Sequence, residues 1–87
     1  MAGYKVLIKP SAVKEVETIP PKDRERVLRK IRSLSEDPRP RGSEKLSGDD
    51  KYRVRQGRYR VVYSVSDDDR TVLVVKVGHR REVYRQL

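Results

Sequence analysis

The chain has no cysteine, so neither a disulfide framework nor a thiolate metal site is open to it. Its single histidine, His79, cannot build a zinc site without help from carboxylates, and no such cluster is evident in the sequence. No apolar run is long enough to span a bilayer, and the opening MAGYKVLIKP lacks the apolar stretch of a secretory signal, so a cytoplasmic protein is expected. Walker and dinucleotide-binding glycine patterns are missing, as are internal repeats and low-complexity segments. The expectation is a protein with no metal, no cofactor and no membrane partner. Apolar residues are also scarce, at 34% of 87 residues, so the core must be small, and one domain spanning residues 1–87 is expected.

Charge is abundant instead. Lysine and arginine number 22 against 13 acidic residues, a formal net charge of +9. Such a balance calls for a polyanionic partner, nucleic acid being the commonest. The apolar residues fall in periodic clusters, which argues against a disordered chain.

YKVLIK (4–9) alternates, with Tyr4, Val6 and Ile8 on one side, and predicts a first strand. Pro10 ends it, and Ser11 is placed to cap a short helix carrying Ala12, Val13, Val16 and Ile19. Pro20-Pro21 breaks that helix, and Pro21 suits the first turn of a second one, with Asp23 at the positive end of its dipole. Val27, Leu28, Ile31 and Leu34 then form one apolar stripe. EDPRPRGSEKLSGDD reads as a polar loop. KYRVR and RYRVVYSV flank Gln56-Gly57, a spacing suited to a two-residue hairpin loop. DDDR makes a further turn, TVLVVKV has the β-branched content of a central strand, and HRREVYRQL closes the chain as a short helix or ordered tail. The fold class expected is α+β: a small antiparallel sheet of about four strands, two N-terminal helices on one face and a short C-terminal helix.

The hairpin carries four arginines, Arg53, Arg55, Arg58 and Arg60, within eight residues. A loop at Gln56-Gly57 pairs Arg55 with Arg58, Val54 with Tyr59, Arg53 with Arg60 and Tyr52 with Val61. Tyr52, Val54, Tyr59, Val61 and Tyr63 then share the face that packs on the helices, and the arginines share the other. Like charges directly opposite each other cost on the order of a few tenths to 1 kcal/mol, and a sheet needing only solubility would mix signs. An external polyanion would neutralise the repulsion, and arginine's planar fork of donors matches phosphate. In a helical ending, Arg80 and Tyr84 lie one turn apart, and Tyr84 is placed either to stack on a base or to fill the core. His79 has the chemistry of an acid-base catalyst, although a lone histidine after a strand is more often structural.

KLSGDDKYRVRQGRYRVVYSV followed by VLVVKVGHRREVYR resembles the RelE/ParE superfamily of bacterial and archaeal toxins, specifically the RelE branch, and the resemblance covers essentially the whole chain. It implies the toxin of a type II toxin–antitoxin system: an endoribonuclease that enters the ribosomal aminoacyl site and cuts mRNA there without metal, its partners being a cognate antitoxin, the ribosome and mRNA. The RNA's 2′-hydroxyl attacks the adjacent phosphate, which requires a base, cationic groups for the pentacoordinate transition state and an acid for the leaving oxygen. By position the resemblance gives catalytic roles to Arg53, Arg55, Arg60, Arg80 and Tyr84, and RNA contacts to Lys51, Arg58 and Arg81. Arg81 is the alternative to Arg80 on the acid side. The best-known RelE pattern has lysines at the positions of Arg53 and Arg55, and arginine does not give up its proton, so the identity of the base stays open. The hairpin sequence supplies no glutamate of its own, from which reliance on the ribosome for positioning is expected. The ParE branch, which inhibits DNA gyrase, and a non-catalytic RNA-binding module are the alternatives.

Overall fold

The computed structural model describes residues 3–46 and 50–79. The elements run β1 (Lys5–Ile8), α1 (Pro10–Glu17), α2 (Pro21–Ser33), β2 (Glu44–Lys45), β3 (Lys51–Gln56), β4 (Tyr59–Ser66) and β5 (Thr71–His79). They form an α+β fold with one five-stranded sheet in the order β1-β5-β4-β3-β2. The sheet is mixed rather than purely antiparallel, because β1 lies parallel to β5, with Lys5 beside Thr71 and Ile8 beside Val74. Apolar alternation shows that a strand has one buried face, but not which strand it borders. The predicted C-terminal helix lies outside the described residues.

Both helices begin at a proline in the first turn, where the missing N–H costs nothing. For α1 the capping position is Lys9 rather than the expected Ser11, and no side chain caps it. Asp23 opens α2 and Lys30 and Arg32 close it, each complementing the helix dipole. Val27, Ile31 and Leu34 bury the stripe that their spacing predicts. They meet Ala12, Val16 and Ile19 from the α1 side and Val54, Val61, Tyr63, Val65, Val72, Val74 and Val77 from the sheet, with Tyr52 and Tyr59 packed at the margin. Val13, expected on the same stripe as Ala12 and Val16, is exposed.

The β3–β4 loop is Gly57-Arg58, one residue later than the sequence suggests. Gln56 therefore pairs with Tyr59, Arg55 with Arg60, Val54 with Val61, Arg53 with Val62 and Tyr52 with Tyr63. Gly57 has φ 61°, the positive value that a tight hairpin takes at its first loop position and that only glycine supplies without strain. Each residue on β3 now meets a residue two places further along β4, so side-chain parity is unchanged and both faces keep their expected members.

A β-bulge in β5 has larger consequences. Val62 pairs with Lys76 and Tyr63 with Val74, which leaves Val75 without an opposite number. The bulge flips the parity of the strand beyond it, so Val72, Val74 and then Val77 all reach the core. It also brings Gly78 opposite Arg60. Glu15 of α1 braces this point: its Oε1 accepts a 2.9 Å hydrogen bond from the Val77 N–H, and its Oε2 bonds the Lys76 ammonium.

Candidate nucleic-acid interface

Alternation along β3 and β4 sends Lys51, Arg53, Arg55 and Arg60 to the face away from the helices, and the pairing register ranks them in rows. Arg55, Arg60 and Gly78 form one row, Arg53, Val62 and Lys76 the next, and Lys51, Ser64 and Leu73 the third. Arg55 and Arg60 are thus directly opposite, whereas the expected pairings of Arg55 with Arg58 and Arg53 with Arg60 do not occur. Arg58 is exposed in the turn. Arg80, Arg81 and Tyr84 lie outside the described residues.

Arg60 is only 8% exposed, not the freely solvated side chain that its outward parity suggests. Across the β4–β5 pairing its opposite number is Gly78, which has no side chain. The bulge is what delivers that glycine. An arginine held this way has lost rotamer freedom before any ligand arrives, so it offers a fixed direction of positive charge.

Arg53 is also fixed. Glu44 sits directly opposite it on β2, and Arg53 Nη2 donates to Glu44 Oε2 at 2.5 Å. The arginine side chain is 17% exposed and the carboxylate 66%. The hairpin supplies no glutamate of its own, and the one beside Arg53 comes from the neighbouring strand. The segment 44–45, expected to be loop, adds a two-residue edge strand that carries Glu44 onto the arginine face. Acidic residues in a polar stretch give no periodic signal from two positions, so nothing in the sequence distinguishes Glu44 from its solvated neighbours.

The positive surface continues around the hairpin tip. A shallow groove of about 460 Å³ is lined by Lys30, Arg41, Gly42, Arg55, Gln56 and Gly57. A smaller one of about 220 Å³, sharing Lys30 and Gln56, adds Arg26 and Arg29. Among the described residues no carboxylate lines either groove, although Arg29 pairs with Glu25 at 3.1 Å on the helix surface. The sequence reading missed this helix-side extension, because the α2 cations join the hairpin only in the folded chain.

His79 falls elsewhere. It pairs with Tyr59 on the helix side of the sheet, the two rings meeting edge-on at 6.1 Å between centroids. With Glu15, Ile19, Tyr59 and Val77 it lines a cavity of about 200 Å³, off the arginine face.

The opposite end of the sheet is locked by Arg39. Its guanidinium grips Asp67 with bonds of 3.1 and 2.9 Å, donates to the Tyr52 hydroxyl at 2.9 Å and lies over the Tyr52 ring. Tyr4 donates to the same carboxylate at 2.6 Å. Asp67 is held below the usual carboxylate range, first by the Arg39 bonds and then by Tyr4. Tyr52 stacks on Tyr63 at 5.9 Å, and the buried Tyr63 hydroxyl donates to the Pro38 carbonyl at 2.8 Å. Burial pushes the Tyr63 phenol up to about 12.

A small mixed sheet thus covers two helices on one face and presents arginines on the other. The family model for the ParE toxin of the type II parDE toxin–antitoxin system matches residues 6–84. The protein called toxin RelE1 in Methanocaldococcus jannaschii is 31% identical over 86 residues, covering 94% of this chain and 96% of that one. RelE from Pyrococcus horikoshii, solved with RelB, superimposes with a TM-score of 0.82 at 34% identity, covering 90% of this chain and 96% of that chain. A substituted Escherichia coli RelE in the free state gives a TM-score of 0.78 at 32% identity, covering 95% and 92%. The chain belongs to the RelE/ParE superfamily of type II toxin–antitoxin toxins.

Proposed function

We propose that this protein is a RelE-type endoribonuclease that cuts mRNA in the ribosomal aminoacyl site and so halts translation in the cytoplasm, and that a cognate antitoxin holds it in check. The observation that carries the reading is the convergence of Arg53, Arg55 and Arg60 on one face, with Arg60 buried opposite Gly78 in the register and Arg53 held by Glu44. Guanidinium groups fixed before substrate arrives stabilise the extra negative charge of a pentacoordinate phosphate without reorganising at the moment of reaction. Arg55 and Arg60 are the cations for the scissile phosphate, and Arg53 serves the neighbouring oxygens. Lys51, Arg58 and the Lys30–Arg41 groove hold flanking backbone. Arg80 or Arg81 supplies charge or a proton to the leaving oxygen, and Tyr84 orients the nucleotide. These eight hairpin and C-terminal positions form one 1–87 toxin domain in this reading.

Ribosome dependence is supported by the make-up of the site, whose charged groups are mainly arginines that stabilise charge but position little. Such groups do not bend a strand into the in-line geometry that 2′-hydroxyl attack needs, so something else must present the RNA. The antitoxin is expected because the similar Pyrococcus RelE and the similar Mycobacterium tuberculosis RelE were each solved with their Rel partner.

The test is cleavage of mRNA in programmed ribosomes beside ribosome-free mRNA, with cut sites and end groups mapped. Cuts in the aminoacyl-site codon, with 2′,3′-cyclic phosphate ends and only with ribosomes, are expected. Efficient cutting of free RNA defeats the ribosome-dependent reading. A second reading, gyrase inhibition, is favoured by the match to the ParE family model. It predicts no cleavage in either reaction and loss of supercoiling activity when the protein is added to gyrase.

A further inference from the structure

Attack by a 2′-hydroxyl needs a group that accepts its proton, and arginine cannot be that group. The arginine face holds Lys51, Arg53, Arg55 and Arg60 among its described residues, and one carboxylate, Glu44, which β2 brings opposite Arg53. The other carboxylates described near the sheet lie elsewhere: Asp50 and Asp68 line a groove with Arg39 and Tyr52, and Asp69 bonds Ser66 in the β4–β5 turn. Glu15 bonds Lys76 and the Val77 N–H on the α1 side, and Asp67 is gripped by Arg39 and Tyr4 at the opposite end. We propose that Glu44 is the general base of the cleavage, taking the proton of the attacking 2′-hydroxyl while Arg53 orients it. The proposal rests on the endoribonuclease reading above.

Three features of Glu44 suit the role. Its side chain is 66% exposed, so RNA can reach it. Arg53 is bonded through Oε2, and among the described residues no other group bonds the carboxylate, so Oε1 remains to accept the hydroxyl proton. A carboxylate tethered by one bond to a half-buried arginine has a set direction, which an isolated surface glutamate lacks. The pair also couples the two needs of the reaction. As the proton moves to Glu44, negative charge grows on the phosphate oxygens next to the guanidinium that holds it.

The step balances without any further reagent. Glu44 accepts the 2′-hydroxyl proton, the 2′-oxygen forms a bond to phosphorus, and the bond from phosphorus to the 5′-oxygen breaks. Where Arg80 or Arg81 serves the leaving oxygen by charge alone, that oxygen takes its proton from solvent water. Where the arginine donates, it is reprotonated from solvent. Glu44 later returns its own proton to solvent. No water is consumed and nothing is oxidised or reduced. The products are a 2′,3′-cyclic phosphate and a 5′-hydroxyl.

A bland alternative is a surface ion pair that merely neutralises Arg53, and such pairs contribute little. Kinetics separate the two. Single-turnover cleavage on programmed ribosomes is measured across pH for the parent, Glu44→Gln, Glu44→Asp and Arg53→Ala, with ribosome binding measured in parallel. The charged groups facing Glu44 are Arg53 directly opposite, Lys51 and Arg55 on the same face of β3, and Lys45 beside it in sequence. With a general base, Glu44→Gln slows cleavage by about 10²- to 10⁴-fold at unchanged binding. It also removes the fall in rate on acidification, and Glu44→Asp recovers part of the rate. Arg53→Ala lowers the rate but keeps the acidic fall. Melting of Glu44→Gln should match the parent, since the amide keeps the shape. Cleavage by Glu44→Gln within about threefold of the parent overturns the proposal. So does a slow variant that retains the acidic fall, which would mark Glu44 as a support for Arg53. In both of these outcomes the parent still cuts, so the endoribonuclease reading survives. A parent that never cuts overturns both.

Discussion

Arg60 and Tyr63 sit three places apart on β4 and face opposite ways, and both are buried. The opposite number of Arg60 on β5 is Gly78. Replacing Gly78 with valine should push the guanidinium from its place and reduce cleavage in the ribosome assay, while Arg60→Ala should lower it by about 10²- to 10³-fold, the scale seen when one transition-state donor is removed. Because Arg60 is buried, a melting curve must accompany both variants to separate lost fold from lost chemistry. Tyr63 donates to the Pro38 carbonyl from a buried position, and its phenol is pushed up to about 12 by burial. An unfolded tyrosine ionises near 10, so between these two values the unfolded chain binds fewer protons than the folded one. Stability contributed by Tyr63 is therefore full below about 10 and is lost as pH rises toward 12. Denaturant titrations at stepped alkaline pH should show this decline for the parent and a shallower one for Tyr63→Phe. The alternation around Arg60 was legible in the sequence, but its burial was not, because burial depends on what lies across two strand pairings.

At the level of elements, the helices were the most readable parts. Pro21 marks the start of α2, whereas α1 starts at Pro10 ahead of the Ser11 cap that the sequence suggests, and the spacing of Val27, Ile31 and Leu34 gives the buried stripe directly. The hairpin was readable as to faces but not as to register, since a loop at Gln56-Gly57 and one at Gly57-Arg58 preserve the same parity. The positive φ at Gly57 decides between them. The added Cβ of Gly57→Ala would meet no atom within 4 Å, so its cost is backbone strain alone, about 1–2 kcal/mol, measurable by urea unfolding. The β5 bulge was not legible, because TVLVVKV reads equally well as an unbroken strand. Glu15 is the residue that makes the bulge affordable, by bonding the Val77 N–H. Glu15→Ala should destabilise the protein by about 1–3 kcal/mol through that unmet N–H, and it should also weaken cleavage by loosening the Arg60–Gly78 alignment.

Across the whole molecule, Arg39 and Asp67 tie the loop after α2 to the β4–β5 turn, while Tyr4 and Tyr52 join the chain start and β3 to the same point. Asp67 is held below the ordinary carboxylate range, so its contribution to stability is present above that range and lost as pH falls through the depressed value. The melting temperature of the parent should exceed that of Asp67→Asn at neutral pH, and the two curves should converge on acidification. The formal charge of +9 acts at the same scale. Ribosome binding should weaken steeply with added salt, and removing Lys30 and Arg41 together should flatten that dependence.

By itself the sequence determined the α+β class, the two helices, the separation of an apolar from an arginine face and the membership of Arg53, Arg55 and Arg60 in the latter. These are consequences of local periodicity and charge, which each segment carries whatever its neighbours do. Tertiary structure alone decided that β1 runs parallel to β5, that Gly78 rather than a valine lies beside Arg60, and that Glu44 joins the arginine face. Each is a pairing between segments distant in the chain. Such pairings are chosen by the packing of the whole sheet on its helices, so no single segment records them.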